Sequence, residues 1–166
     1  MEKKKRLKLF EPNHPASEEM LEWWKGLEQK KGDRAELKRC KSLAEVQTTS
    51  AFQRCYWQLV DNFKQEGYGP PKEQMAIIIG LASHVEENDI NKKDDQEQQQ
   101  SQDYFAYQIS RGKDGPILSE LRFRKMLKIK NREKLYRFLI QVIRMLEKKI
   151  NLIDLQSIAF FWGDAV

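Results

Sequence analysis

The sequence predicts an all-α fold: two packed helical subdomains, a helical bundle joined by an acidic, glutamine-rich mobile loop. Three observations carry that prediction. Apolar residues recur with helical period in almost every segment, and no stretch sustains strand alternation between hairpin turns. Capping residues and glycine stops punctuate the chain. One stretch, EENDINKKDDQEQQQSQD over 86–103, has a single isoleucine and no other large apolar residue, too little to offset the entropy of ordering. The expected organisation is a basic flexible N-terminus over 1–16, a helical subdomain over 17–85, the mobile loop over 86–103 and a second helical subdomain over 104–166.

Each element has a local reason. Ser17 reads as an N-cap, with Glu18 and Glu19 in the first turn where they suit the helix dipole. Met20, Leu21, Trp24 and Leu27 then share a face, and Gly32 supplies the stop. Asp33 and Glu36 form a D-x-x-E box opening a short helix, and Ser42 and Glu45 repeat the device. A longer helix follows, with Phe52, Cys55, Tyr56, Leu59 and Phe63 inward; it ends at GYGPP, 67–71, which no helix crosses. Met75, Ile78, Ile79 and Ala82 mark the next buried helix.

Beyond the loop, a short helix over Tyr104 to Ser110 leads to the RGKDGP turn. Helices resume over Leu118 to Ile129, Arg132 to Lys149 and Leu152 to Trp162. Phe123, Met126 and Leu127 cluster on one side of the first of these, with Leu121 among the charges. Leu135, Phe138, Leu139, Val142, Ile143 and Leu146 form an apolar arc at about 100° per residue, with Lys134, Arg137, Arg144 and Lys148 opposite. Asn151 caps the last helix, Leu152, Leu155, Ile158, Ala159 and Trp162 face inward, and Gly163 stops it.

Composition narrows the function classes. The 166 residues include 30 Lys and Arg against 25 Asp and Glu, and the pI is about 9.1. Cys40 and Cys55 are too few for a disulfide framework and read as free thiols of a cytoplasmic protein. His14 and His84 complete no zinc spacing, so no metal or cofactor is expected. The basic start lacks the apolar stretch of a secretory signal, and the most apolar run, Met75 to Val85, is about half a bilayer crossing. The chain therefore reads as soluble.

Charge is unevenly laid out. Between Arg111 and Lys149 stand thirteen basic residues and four acidic ones, whereas the loop is acidic. Solvated faces ordinarily mix both signs, so a nearly acid-free basic surface points to a polyanion partner. The stretch KGDRAELKRCKS adds to it: Arg34, Lys38 and Lys41 fall at i, i+4 and i+7 on one helix face, Arg39 lies beside Lys38, and Leu37 and Cys40 point inward. The tail residues Lys3, Lys4, Lys5, Arg6 and Lys8 either add loose phosphate contacts or simply solubilise the start.

Catalytic constellations are absent from the pattern. No glycine-rich phosphate loop precedes a helix, and no Ser-His-Asp or Cys-His set stands out. His84 reads as a surface or boundary histidine, and the acids of 86–95 as solvated loop charges. Trp24, Trp57 and Trp162 lie on or near apolar faces and read as core; Trp23 is the exposed candidate for base stacking.

Three blocks carry a family resemblance: WWKGLEQKKGDRAELKRCKS (Trp23 to Ser42), LSELRFRKMLKIKNREKLYRFLIQVIRML (Leu118 to Leu146) and INLIDLQSIAFFWGD (Ile150 to Asp164). In that order they resemble the CasB family, the small subunit of the type I-E CRISPR surveillance complex Cascade, over residues 17 to 164. The resemblance implies an all-helical, non-enzymatic protein present as two side-by-side copies. These would hold the displaced DNA strand and brace the duplex of CRISPR RNA and target DNA, alongside other Cascade subunits. It places Arg34, Lys38 and Arg39 in the family's basic block, Arg122 at the arginine of the second block, and Lys128 at a commonly basic position. Arg124 and Lys125 fall where members vary between basic and apolar. Two departures stand out: the acidic loop is longer than usual, and many members continue past Trp162-Gly163 into a basic tail.

The expected function is sequence-independent phosphate binding through Arg34, Lys38, Arg39, Lys41, Arg122, Arg124, Lys125, Lys128, Lys130, Arg132, Arg137 and Arg144. The alternative is a helical scaffold whose basic faces dock acidic partner subunits without touching nucleic acid.

Overall fold

The structure is a computed structural model, described over residues 10, 14–65, 69–89, 105–112 and 114–163. Over these residues it is all-α, with one two-stranded parallel pairing. The chain divides between Ser83 and His84 into two compact units. The basic tail and most of the acidic stretch, 90–103, lie outside the described residues.

The first unit opens with α1 (Pro15–Gly26). Its N-cap is His14, whose Nδ1 accepts from the Ala16 N–H at 3.1 Å, with Pro15 at the first helical position. Ser17 is not the cap: it lies inside the helix, 1% exposed. Proline's fixed φ starts the helix three residues before a Ser17 cap would. Met20, Trp24 and Leu27 are buried as expected, and Leu21 is half-buried.

Helix α2 (Lys31–Arg39) starts before the expected box, so Gly32 belongs to its first turn and is not a stop. Asp33 caps nothing; its carboxylate pairs with Arg54 at 2.7 Å. Glu36 reaches forward to α4 (Ser50–Gln65), accepting from the Ser50 and Ala51 N–H groups at 3.4 Å. The second box does form. Ser42 Oγ accepts from Glu45 N–H at 3.1 Å and caps α3 (Leu43–Thr48), while Glu45 accepts from Lys41 N–H at 2.7 Å.

Phe52, Cys55, Leu59, Val60 and Phe63 of α4 are at most 2% exposed, with Tyr56 half-buried. Leu37 joins this core from α2, and Leu43 and Val46 from α3. In α5 (Lys72–His84) every residue from Gln74 onward is buried. His84 at its end is 8% exposed, so it is a buried rather than a surface histidine.

In the second unit the start of the supposed loop is ordered. Glu87–Asn88 (β1) pairs in parallel with Lys149–Ile150 (β2), Glu87 opposite Lys149 and Asn88 opposite Ile150. Glu86 and Glu87, read as solvated charges, pair with Lys148 at 3.0 Å and Lys149 at 3.5 Å. Composition could not reveal this, because the partner strand lies some sixty positions away.

Helices α6 (Phe105–Ser110), α7 (Glu120–Leu127), α8 (Arg132–Met145) and α9 (Leu152–Phe160) complete the unit. Ser119, Asn131 and Asn151 cap the last three through their side-chain oxygens. Leu135, Leu139, Val142 and Ile143 are buried as the arc predicts, with Phe138 and Leu146 half-buried. Helix α8 stops at Met145, short of the expected Lys149. Glu147 and Lys148 take left-handed backbone, φ 57° and 64°, and Lys148 N–H closes on the Ile143 carbonyl at 2.9 Å. Such φ values cost non-glycine residues about 1–2 kcal/mol each.

Asp154 joins α9 to α6 by accepting from the Phe105 N–H at 2.6 Å. Burial pushes its carboxyl pKa above the ordinary value, with that hydrogen bond opposing. The folded chain therefore holds this proton more tightly than the unfolded one. The group's contribution is most favourable below its unfolded pKa and is lost as pH rises through the raised folded value. Asp154→Asn, which cannot ionise, is expected to raise the urea midpoint at neutral pH, with the gain shrinking as pH falls through the carboxylate range.

Candidate nucleic-acid interface

Helix α7 is built to leave its cations outside. Met126 is buried and Phe123 half-buried, whereas Arg122, Arg124, Lys125 and Lys128 are exposed. Leu127 was expected to join the inward cluster but is 59% exposed, and Leu121 is 64% exposed. With eight residues, the helix has only a narrow side to bury.

The link from α7 to α8 carries Lys128 and Lys130, and it is held from behind. The Trp162 indole N–H donates to the Ile129 carbonyl at 2.6 Å. Arg132 Nη2 donates to the carbonyls of Trp162 at 3.2 Å and Phe160 at 3.5 Å, closing the C-terminal end of α9. A half-buried tryptophan and a guanidinium thus fix the backbone on which two exposed ammonium groups stand. Arg132, expected as a phosphate contact, is half-buried and its Nη2 is engaged with these carbonyls.

The other expected contacts separate by what they touch. Arg124 pairs with Glu120 one turn earlier, and Arg122 points Nη1 toward Met145 Sδ at 3.9 Å. Lys125, Lys128, Lys130 and Arg144 are exposed, and their side chains form no hydrogen bond or ion pair among the described residues. Lys134, outside the expected set, is in the same condition. Arg137 is exposed but already engaged.

In the first unit, Arg39 is exposed and unpaired among the described residues, while Lys38 and Lys41 are engaged. The proposed single face of Arg34, Lys38 and Lys41 is interrupted: α2 ends at Arg39, Cys40 is its extended C-cap, and Lys41 lies in the link beyond. Leu37 and Cys40 do point inward, at 0% and 7% exposure. Arg34 is half-buried, and its Nε and Nη2 are shielded from solvent without a hydrogen-bond partner among the described residues. Leaving such donors unmade costs about 1–3 kcal/mol each.

The aromatic assignments change. Trp57, read as core, is 61% exposed, with its ring edge-on to Tyr56 at 5.4 Å. Trp23, the expected exposed ring, is half-buried; Trp24 is buried and Trp162 half-buried. At Trp57 helical period placed the residue at the border of the apolar arc, and packing decided against it. Cys40 and Cys55 are free, buried thiols; burial raises both pKa values, and Glu45 and Glu36 add to the rise at Cys40. Among the described residues, no group of three or more His, Cys, Asp and Glu could hold a metal ion, and no helix is long and apolar enough to cross a membrane.

Arg132→Ala is expected to lower stability by about 1–3 kcal/mol, since it strips hydrogen bonds from half-buried carbonyls. Lys128→Ala should stay within about 0.5 kcal/mol of the parent. Chemical denaturation of the two variants separates the structural cation from the free one.

The family model for CRISPR-associated protein Cse2 matches residues 33–162. No curated protein and no solved structure gives a significant match to the chain. The matched span runs from the first turn of α2 through Trp162 and so takes in both the Arg34–Arg39 block and the basic α7–α8 segment. The chain therefore belongs to the Cse2 family, also called CasB, the small subunit of the type I-E CRISPR complex Cascade.

Proposed function

We propose that this chain binds nucleic acid within Cascade through backbone phosphates, steadying the guide-target duplex and the displaced strand without reading bases. The observation carrying this reading is the set of exposed cations Lys125, Lys128, Lys130, Lys134 and Arg144 on α7, α8 and their link, without a side-chain partner among the described residues. Like charges so close repel one another, and a polyanion relieves that repulsion. Lysine suits the task, since its ammonium is a compact point charge on a flexible stem and imposes no base geometry. Base pairing with the guide reads sequence, which leaves an accessory subunit only charge and shape to follow. Strand opening is a near-balanced exchange, so modest affinity for the displaced strand shifts it without catalysis.

Replacing Lys125, Lys128, Lys130 and Arg144 together by glutamine is expected to flatten the salt dependence of single-stranded DNA binding. Each lost phosphate contact removes about 0.7 from the slope of log affinity against log salt. A variant that keeps the full slope would reject this surface.

A second reading has its own observation. Leu121 and Leu127 are exposed on the same short helix, and two large apolar side chains there favour contact with another Cascade subunit. Leu121→Ser combined with Leu127→Ser is expected to weaken co-purification with the complex while leaving the salt slope of the isolated chain unchanged.

A further inference from the structure

Beside the first turn of α2 lies an open cavity of about 510 Å³ lined by Leu27, Glu28, Gln29, Lys31 and Arg34. Two features of its wall are unusual together. Arg34 Nε and Nη2, one edge of the guanidinium and the fork that grips an oxyanion with two parallel hydrogen bonds, are shielded from solvent in the resting arrangement and have no partner among the described residues. Lys31, on the same wall, forms no hydrogen bond or ion pair among the described residues. The adjoining helix end is open as well. No side chain caps α2, and a Cβ built on Gly32 would meet nothing within 4 Å.

We infer that this cavity is a discrete phosphate-binding subsite, in which Arg34 grips two oxygens of one phosphate group and Lys31 supplies a second positive charge. Rotation of the guanidinium toward the cavity presents the fork to the ligand and satisfies donors that have no acceptor at rest. Gln29 offers an amide to the remaining oxygens. Glu28 is the opposing group: its carboxylate disfavours an anion and holds down affinity for phosphate arriving alone. The inference deepens the nucleic-acid reading, on which it rests for the source of the phosphate, a backbone diester. It differs from a diffuse basic surface in requiring arginine's planar fork, which lysine cannot supply.

Nitrogen-15 NMR of the full chain follows the Arg34 Nε–H resonance while either oligothymidylate or inorganic phosphate is added. Both should move it, the oligomer at the lower concentration. Arg34→Lys is expected to lose about tenfold in oligomer affinity, because two charge-assisted hydrogen bonds go while the charge stays. Glu28→Gln should gain about two- to fivefold for both ligands. If Arg34→Lys does not fold by circular dichroism, the parent resonance and Glu28→Gln decide the matter alone. An Arg34 signal that stays still while the oligomer binds, or an unchanged affinity in Arg34→Lys, overturns the subsite and leaves the wider nucleic-acid reading intact. Movement with inorganic phosphate but no oligomer binding supports the cavity as a phosphate site and removes nucleic acid as its source.

Discussion

Backbone N–H groups at the start of each helix are the constraint on which this structure turns. Its helices are short, several of them six to nine residues. Isolated helices of that length do not hold in water. Every helix leaves unpaired donors at its first turn, and the fewer the turns, the larger their share of the total. His14, Ser42, Ser119, Asn131 and Asn151 answer them locally, while Glu36 answers them for a helix fourteen positions further on. Burial of Leu37, Phe52, Leu135 and Leu155 then drives packing of segments whose ends are already satisfied. Helix α2 has no side-chain cap, and it carries Arg34, whose Nε and Nη2 have no hydrogen-bond partner among the described residues.

The basic residues serve two separate ends. Arg54, Arg124, Arg132 and Lys148 are engaged with carboxylates or carbonyls and hold the fold. Lys125, Lys128, Lys130 and Lys134 have no side-chain partner among the described residues, and Lys128 and Lys130 stand on a link whose backbone is fixed by Trp162 and Arg132. This division matters for function because a mobile cation on a mobile backbone loses more entropy on binding than one on a fixed stem. On the proposed reading, a subunit that follows a nucleic-acid backbone gains from this arrangement.

Much was legible in the residues themselves. The Ser42–Glu45 box, the Asn151 cap and the apolar arc of α8 all appear, because local periodicity and capping act over a few positions. Other features depended on partners far along the chain. Ser17 lost the cap to His14 once Pro15 started the helix early. Glu86 and Glu87, polar and apparently loop-like, gained order from a strand at Lys149–Ile150. Trp57 and Leu127 sat on the edges of predicted apolar faces, and nothing in their spacing says how wide a face the neighbours cover.

The sequence by itself determined the helical class, most helix positions and the concentration of positive charge between Arg111 and Lys149, since these follow from local spacing and composition. Only the tertiary structure decided which cations are spent on carbonyls and carboxylates and which remain free, and which aromatic rings meet solvent. Those outcomes depend on the acceptors and side chains that other segments bring alongside, and a linear pattern does not encode that proximity.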